Sequence, residues 1–332
     1  LLCTWRGSLM VDSGRKTSFK RKELGGSVVG SLLVKSFKTP NQILKDALNE
    51  YDGKEAVNDI ANEPKVVAGR MLEPVILKMF MDQVKSYCND KTKVKMTVPK
   101  TAHLYQLENG KLGSSLDGML HISPGTLELS DYTKKTFILK NKVVLECKNY
   151  SGAAEDEPYP AYLYQIQQAL LTTGCEHGIL VRFVKGWQLQ WFIYQRDHRM
   201  IDEIINAGND FWDRFDGIKN GHDYWYPPAD TAEASLIYTS NGSKEVHDMS
   251  THNKLGILIE QFVSASADEK EAKKRKDAAS MYMKEIVGGH EVVTWNDYTI
   301  RHSTNQKKKT KTVTIPGEFT SYRRFTVEGG KK

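Results

Sequence analysis

The spacing of apolar residues along the chain predicts alternating helices and strands in its first two thirds. Apolar residues three to four positions apart, with capping residues at the ends, predict helices over residues 27–34, 40–48, 64–87, 160–173, 199–215 and 255–287. Shorter apolar runs bounded by turn residues predict strands over residues 93–99, 103–107, 116–122, 137–139, 143–147, 176–183 and 187–194. Helices before, between and after the strands predict an α/β fold with a central mixed β-sheet flanked by helices.

The predicted helix over residues 64–87 carries a carboxylate in an unusual position. Its predicted buried face consists of Val67, Met71, Val75, Met79 and Phe80. Pro74 removes one backbone hydrogen bond and predicts a kink. Glu73 lies beside this proline and one turn after Gly69, which leaves the neighbouring helix surface without a side chain. Taken by itself, Glu73 is more typical of a solvated surface position than of a functional one.

Two hairpins are also predicted from turn residues. Residues 137–139 and 143–147 are expected to pair across a turn at residues 140–142. Near the end of the chain, residues 292–301 and 312–325 are expected to form a hairpin around a basic loop.

Composition narrows the class of protein. The chain has 332 residues, of which 39% are hydrophobic, as in a globular protein. It has no apolar run of about 18 residues, so no membrane span is predicted. Its four cysteines are scattered without a C-x-x-C pair, which argues against zinc or iron–sulfur sites and favours the cytoplasm, or the host cytoplasm for a viral protein. The net charge of +6 fits a polyanionic partner without requiring one.

Changes in composition along the chain predict three regions. Residues 1–19 have neither an initiator Met nor an apolar signal core and are interpreted as a leader, with Met10 as an alternative start. Residues 20–216 form the predicted α/β core. Residues 217–332 begin with a stretch rich in Gly, Asp and Ser and continue with a charged helix and a basic hairpin, so they are interpreted as an accessory region.

The candidate chemistry lies on one apolar strand. Because alternate side chains of a strand share a face, Glu146 and Lys148 point the same way. Leu145 and Cys147 then face the opposite, packed side. With Asp117 as a second carboxylate, the group suits a hard cation and the hydrolysis of a phosphodiester. By itself, the Glu-x-Lys pattern is more typical of a solvated strand face with a surface ion pair.

A second glutamate competes for the same role. Glu128 also lies on a predicted strand soon after Asp117, but Ser130 stands where Glu146 is followed by Lys148. A buried apolar run also precedes Glu146. We therefore predict Glu146 as the catalytic glutamate.

Five blocks of sequence together point to a known family. They are Arg21 with Gly25-Gly26-Ser27, Gly69-Arg70-Met71-Leu72-Glu73-Pro74, Ser115-Leu116-Asp117-Gly118, Leu145-Glu146-Cys147-Lys148 and Ala161-Tyr162-Leu163-Tyr164-Gln165-Ile166-Gln167. Each block is a weak motif, but in this order over residues 21–215 they resemble the YqaJ-like viral recombinase family, the phage lambda exonuclease group of PD-(D/E)xK nucleases. The resemblance implies a restriction-endonuclease-like core, plus a C-terminal helix-and-hairpin extension.

Two departures from the family pattern are visible. The gap between Asp117 and Glu146 is longer than in compact members, which we interpret as a hairpin insertion at residues 124–142. Leu116 occupies the position of the proline in the family name.

The resemblance implies a catalytic set and its ligands. The catalytic residues it implies are Asp117, Glu146, Lys148, Glu73 and Gln165. The implied ligands, for one or two Mg²⁺ ions with Mn²⁺ as a substitute, are Asp117, Glu146, the backbone carbonyl of Cys147 and, through a water, Glu73. Lys148 would orient or activate the attacking water, and Gln165 would orient Lys148 or that water.

The resemblance also implies a pocket for the 5′-phosphate of a DNA end. Arg21, Ser27 and Ser115 would form it, because a serine and a bidentate arginine suit a terminal phosphate. Lys20 or Lys22 is an alternative to Arg21 in this block.

The implied activity is a metal-dependent exonuclease. It would degrade the 5′ strand of linear double-stranded DNA and leave 3′ single-stranded overhangs for phage-type recombination. The implied partners are DNA ends, further copies of the chain in a homo-oligomer (a trimer by analogy) and a single-strand annealing protein. Two alternatives stay open: a structure-specific or restriction-type endonuclease on the same core, and a DNA-binding protein with a degenerate site.

Overall fold

The computed structural model describes residues 17–54, 63–88, 92–154, 157–238, 246–252 and 254–301. The chain divides into two compact units, Leu1–Ser240 and Asn241–Lys332. The predicted leader lies outside the described residues except for its last three. The predicted domain limits at residues 19 and 216 stay predictions.

The first unit alternates helices and strands as the apolar spacing predicts. Its described helices are α1 (Gly26–Leu33), α2 (Pro40–Asp52), α3 (Pro64–Ser86), α4 (Pro160–Thr173), α5 (His198–Lys219) and α6 (Thr231–Ile237). Its described strands are β1 (Glu23–Gly25), β2 (Val94–Thr97), β3 (His103–Gln106), β4 (Lys111–Ser114), β5 (Gly118–Ser130), β6 (Thr136–Tyr150), β7 (His177–Val184) and β8 (Gln188–Gln195).

The central sheet has the strand order β2-β5-β6-β7-β8. Strands β6 and β7 are parallel, and the other neighbours are antiparallel. A smaller sheet, β1-β4-β3, pairs β1 in parallel with β4. The predicted α/β fold with a central mixed sheet flanked by helices is therefore confirmed.

The two faces of the central sheet belong to different hydrophobic clusters. On one face, Leu145 packs with Phe80 of α3 and Ile179 of β7. On the other face, Val144 packs with Ile166 of α4. Since neighbouring residues of β6 enter different clusters, the strand is buried on both sides, and a polar side chain on it must find partners within the fold.

The predicted buried face of α3 is partly wrong. Met71 and Val75 are exposed, and the buried residues of this helix are Ile76, Leu77, Phe80, Met81 and Val84. Burial therefore begins only after Pro74. Periodicity marks the apolar side of a helix, but it does not show which turns reach the sheet.

The predicted turn at residues 140–142 is also wrong. Strand β6 runs through these residues and pairs with β5 on both sides of a register shift. Within β6, Asn141 adopts a left-handed conformation with φ of 60°. The chain turns instead at Asp131, whose carboxylate accepts hydrogen bonds from the backbone N–H of Thr133 (2.9 Å) and Lys135 (3.2 Å). The predicted insertion is thus a long arm of these two strands.

The second unit contains helix α7 (Leu255–Val287) followed by a hairpin of β9 (Val292–Trp295) and β10 (Tyr298–Arg301). The helix begins and ends as predicted. The prediction of one strand over residues 292–301 is wrong, because the chain turns at Asn296, where φ is 49°. The predicted partner, residues 312–325, lies outside the described residues. Within the described ranges, we find no helix long and apolar enough to cross a membrane.

Candidate active site

Strand β6 carries two charged side chains on one face of the central sheet. Leu145 and Cys147 belong to the cluster beneath α3, whereas Val144 belongs to the cluster beneath α4. Glu146 and Lys148 alternate with the first pair and therefore face the α4 side. This is the orientation expected from the sequence.

Asp117 lies directly before β5 and reaches across to β6. Its Oδ2 accepts a hydrogen bond of 2.7 Å from the backbone N–H of Cys147. The next residue, Gly118, pairs with Leu145, and a Cβ at Gly118 would lie 3.2 Å from Leu77 and 3.3 Å from Leu145. The absence of a side chain at Gly118 lets the two strands approach closely enough to bring Asp117 beside the Glu-x-Lys segment.

Glu146 is the centre of a hydrogen-bonded group. Its Oε1 accepts from Lys148 Nζ at 2.6 Å and from Gln165 Nε2, on helix α4, also at 2.6 Å. The Lys148 ammonium lies 5.0 Å from the ring centre of Tyr162, one turn before Gln165. Both contacts to Glu146 use the same oxygen, so Oε2 is the atom that remains for a further partner.

The buried position changes how these groups titrate. Burial raises the pKa of Glu146 to about 8; the charge of Lys148 opposes this effect, and the charges of Asp117 and Glu73 add to it. Burial alone would lower the pKa of Lys148, but the charges of Glu146 and Asp117 outweigh it and raise the pKa. Burial and the charge of Asp117 raise the pKa of the Cys147 thiol, so this residue can offer a cation its carbonyl but not a thiolate.

Glu73 of α3 is a third acid whose charge affects the pKa values of the group. It is partly buried, and its charge raises the pKa of both Glu146 and Cys147. Among the described residues, however, no three His, Cys, Asp or Glu side chains are close enough to hold one metal ion together. Three acidic side chains therefore do not converge on one point in the described part of the chain.

This donor set fits Mg²⁺. The ion takes oxygen ligands, keeps several waters and is usually held by one or two carboxylates. Burial raises the pKa of Glu146 and the charge of Asp117 adds to this effect, whereas a divalent cation would favour the ionised form of both carboxylates. Asp117, Glu146 and the Cys147 carbonyl are therefore oxygen ligands of the kind that such an ion needs.

A cavity of about 60 Å³ adjoins Glu146. Its polar lining consists of Thr17, Ser27, Ser114, Ser115, Glu146 and Gln165. Helix α1 begins here: Gly25 and Gly26 also line the cavity, and no side chain caps the helix. The first N–H groups of a helix lack partners within the helix and favour anions. The structure thus brings the predicted Ser27 and Ser115 together beside the predicted catalytic glutamate.

Two residues of this cavity were missed by the sequence analysis. Ser114 is 3% exposed, and its Oγ has no hydrogen-bond partner among the described residues. Thr17 approaches from the other side, where its Oγ1 would lie 2.8 Å from a Cβ at Gly25. Ser114 directly precedes the Ser-x-Asp motif, and this adjacency was the available signal. No comparable signal marks Thr17.

Helices α1 and α4 hold the cavity and the catalytic group against each other. A Cβ at Gly30 would lie 2.7 Å from the carbonyl oxygen of Ala161, and a Cβ at Gly26 would lie 3.4 Å from Gln165. Backbone therefore packs against backbone, which only glycine permits at Gly30.

Two other predicted residues lie apart from this cavity. Arg21 is not among its lining residues, and its Nε lies 3.0 Å from Glu23 Oε2. Glu128 is exposed on the distal part of β5, where it pairs with Ile138. Of the two glutamates that the sequence offers, Glu146 is the one placed beside Asp117.

Two carboxylates and a lysine on or beside the central strands of a mixed sheet are the arrangement that the resemblance to PD-(D/E)xK nucleases implies. Residues 17–176, just under half of the chain, match the YqaJ-like viral recombinase domain. This match confirms the resemblance seen in the sequence and supports a nuclease.

Solved structures of low identity resemble the chain. LHK-Exo in complex with dAMP shares 14% identity over 61% of this chain and 92% of that chain, with a TM-score of 0.44. The alkaline exonuclease LHK-Exo from Laribacter hongkongensis shares 15% identity over the same fractions, with a TM-score of 0.43. A phage related exonuclease from Haemophilus somnus 129PT shares 12% identity over 59% of this chain and 96% of that chain, with a TM-score of 0.35. At these TM-scores the likenesses carry no argument of their own. No curated protein matches the sequence.

Proposed function

We propose that this chain is a metal-dependent 5′-to-3′ exonuclease that digests one strand of linear double-stranded DNA and leaves 3′ single-stranded overhangs for phage-type recombination. One observation carries the proposal: Glu146 and Gln165 line the same small cavity as the hydroxyls of Ser27 and Ser115. An anion pocket beside a catalytic carboxylate suits an enzyme that holds the end of a strand and cuts next to it. An endonuclease has no need of such a pocket.

The carboxylates have the first role in this mechanism. Asp117 and Glu146, with the backbone carbonyl of Cys147, would hold one or two Mg²⁺ ions, for which Mn²⁺ would substitute, and Glu73 would join through a water. When bound, the metal neutralises charge on the phosphodiester and lowers the pKa of a water molecule. Gln165 and Lys148 donate to Oε1 of Glu146 and thereby orient Oε2.

Lys148 has the second role. Its raised pKa keeps it an ammonium group at neutral pH. From beside Glu146 it would orient the attacking water and offset the negative charge that develops on the phosphate oxygens. The Tyr162 ring, 5.0 Å away, restricts the conformations of this long side chain and so reduces the entropy lost on positioning it.

The hydroxyl-lined cavity has the third role, as a pocket for the terminal 5′-phosphate. Ser27 and Ser115 would donate to the phosphate oxygens together with the open N-terminus of α1. Ser114 joins them, because its buried hydroxyl gains its missing partner when an anion binds. Arg21, or a neighbouring lysine in its place, would approach the phosphate from outside the cavity.

A linear duplex labelled at either end tests this function. With Mg²⁺, the proposal predicts loss of the 5′ strand from its end, retention of the 3′ strand and no digestion in EDTA. A covalently closed circle of the same sequence should survive. Cutting of the circle would favour the endonuclease alternative. DNA binding without any digestion would favour a degenerate site.

The proposal extends to assembly and partners, on the resemblance alone. The chain would form a homo-oligomer, a trimer by analogy, around the DNA, and would hand the overhang to a single-strand annealing protein in the cytoplasm. Analytical ultracentrifugation of the full chain tests the first statement, since a single monomeric species at all concentrations would contradict it.

A further inference from the structure

A row of aromatic rings leads from the catalytic lysine to the protein surface. The ammonium of Lys148 lies 5.0 Å from the ring centre of Tyr162. The Tyr162 ring packs edge-on against Tyr159 with 5.8 Å between ring centres, and Tyr159 packs against Phe37 at 5.7 Å. The row is continuous and connects Phe37 to the Lys148 ammonium through two intervening rings.

Phe37 is the exposed end of this row. It is 82% exposed, although it is held by a neighbouring ring on one side. In the described residues 34–39 and 157–162 it is the one large apolar side chain that is exposed. A protein-binding surface usually needs a much wider apolar area, on the order of 1,000 Å² of total buried surface. A single flat ring is instead the size of one nucleobase.

The backbone around Phe37 is anchored on both sides. The Tyr159 hydroxyl donates to the carbonyl of Lys35 at 2.5 Å, which ties this loop to the start of α4. Two residues after Phe37, Thr39 begins α2 with a capping box that Gln42 completes. The ring is therefore presented by a fixed loop between two helices, and little conformational entropy is lost when a planar ligand stacks on it.

The charges near Phe37 also suit nucleic acid. Lys35 is exposed two residues before it, and Lys38 follows it directly. Lys38 Nζ is paired with Asp46 at 2.6 Å, so Lys35 is the better candidate for contact with a phosphate. An aromatic ring beside basic side chains is the usual arrangement for holding single-stranded nucleic acid, in which bases stack and phosphates are neutralised.

We propose that Phe37, supported by Tyr159, is a stacking platform for an unpaired nucleobase of the DNA strand at the active site. This inference rests on the proposed nuclease function and adds to it a binding site for a base, separate from the phosphate pocket. Stacking on a protein ring contributes about 1–3 kcal/mol per base. Removal of the ring is therefore expected to weaken binding of a DNA end by about 5- to 150-fold.

Fluorescence of 2-aminopurine tests the platform directly, because this base analogue is quenched when it stacks. The full chain is titrated in EDTA with duplexes that carry 2-aminopurine as the terminal base. The wild-type chain and Phe37→Trp are expected to change the fluorescence and to bind with similar affinity. Phe37→Ala is expected to lose the change and to bind about tenfold more weakly. The matched control is Ile138→Ala, which removes a similarly exposed apolar side chain (66%) from the distal arm and should behave as wild type.

Steady-state digestion provides the second measurement. For Phe37→Ala we expect a raised KM with kcat little changed, because the ring does not touch the reacting atoms. The melting temperature should stay the same, since the side chain is exposed.

The two proposals fail in different ways. The platform would be overturned if the Phe37→Ala variant had the same fluorescence change, affinity and KM as the wild type. This holds even if the wild-type chain digests DNA as proposed. The nuclease function would be overturned if the chain digested no DNA with Mg²⁺. If Phe37→Ala still abolished the fluorescence change in EDTA, the base-binding site would be retained. If Phe37 binds a protein partner and not a base, Phe37→Ala will match the wild type in all three DNA measurements, which counts against the platform.

Discussion

The catalytic group and the neighbouring cavity differ in how their polar atoms are satisfied. In the first, Lys148 and Gln165 each donate to Glu146 at 2.6 Å, and the backbone N–H of Cys147 donates to Asp117. In the second, hydroxyl groups make up most of the polar lining, and Ser114 Oγ has no partner among the described residues. The charged side chains of the catalytic group are thus largely satisfied by hydrogen bonds, whereas the cavity contains a hydroxyl group that has no acceptor among the described residues.

This difference shows which partner each region lacks. Burial raises the pKa of Glu146 and the charge of Asp117 adds to this effect, so a cation bound at the cluster would stabilise the ionised carboxylates. A pocket of donors at a helix N-terminus is improved by an anion. A phosphodiester end with its metal supplies both, and the two regions share the wall formed by Glu146 and Gln165.

The largest expected effect comes from removing a charged side chain of the catalytic group. Lys148→Ala or Asp117→Ala should lower Mg²⁺-dependent digestion by about 10²–10³-fold, as for the loss of one transition-state donor. DNA binding should be largely kept, because the cavity is intact. Digestion is measured on end-labelled duplex and binding by anisotropy. Lys142→Ala, an exposed lysine on the same strand, is the matched control, and near-normal digestion by either test variant would sink the assignment.

The next largest effect is expected from removing a hydroxyl group that lines the cavity. Ser115→Ala should reduce the preference for 5′-phosphorylated over 5′-hydroxyl ends by about 10- to 150-fold, because a hydrogen bond to a charged group contributes about 1.5–3 kcal/mol. Ser114→Ala should act in the same direction without lowering the melting temperature, since the hydroxyl it removes is unpartnered in the free chain. Ser130→Ala on the distal arm is the control. Equal rates on both kinds of end in the wild type would remove the pocket.

The dependence of stability on pH sharpens the contrast further. Burial raises the pKa of Glu146 to about 8, above its ordinary value. Between the unfolded and folded values the unfolded chain binds fewer protons, so the free energy of unfolding without metal should fall as pH rises from about 5 to about 8 and then level off. This group contributes at most about 1.4 kcal/mol per pH unit. Urea unfolding in EDTA should show that slope reduced in Glu146→Gln but not in Glu128→Gln; identical slopes in both would contradict it.

The smallest effect is expected for the competing glutamate. Glu128 is exposed on the distal arm, so Glu128→Ala should change stability by about 0.5 kcal/mol or less and leave the digestion rate unaltered. The same assay on end-labelled duplex checks it. A loss comparable to that of Asp117→Ala would mean that the wrong glutamate has been placed in the site.

The sequence was sufficient where a local rule decides the structure. Thr39-Pro40 is typical of a helix start and does begin α2, and Gly174, typical of a helix end, ends α4 in a left-handed conformation with φ of 71°. Alternation along β6 correctly separated Glu146 from Leu145. In each case the rule involves residues within one turn or one strand, so the rest of the fold is not needed to apply it.

The sequence was insufficient where distant contacts decide. The residues 140–142 look like a turn, but pairing with β5 keeps them in the strand. Met71 and Val75 continue the apolar spacing of α3 yet lie beyond its packed half. Ser114 has only its position before the Ser-x-Asp motif as a sequence signal, and its burial beside the start of α1 is a property of the fold. These outcomes depend on contacts with residues far away in the chain. The periodicity of a local segment carries no information about such contacts.

The contact of Gly30 with Ala161 has a consequence for the geometry of digestion. Helix α1 borders the proposed phosphate pocket, and α4 carries Gln165, which donates to Glu146. The two helices touch through bare backbone at Gly30, where a methyl group would lie 2.7 Å from the carbonyl oxygen of Ala161 and would force them apart. The spacing between the pocket and the catalytic group is thus held by the absence of one side chain.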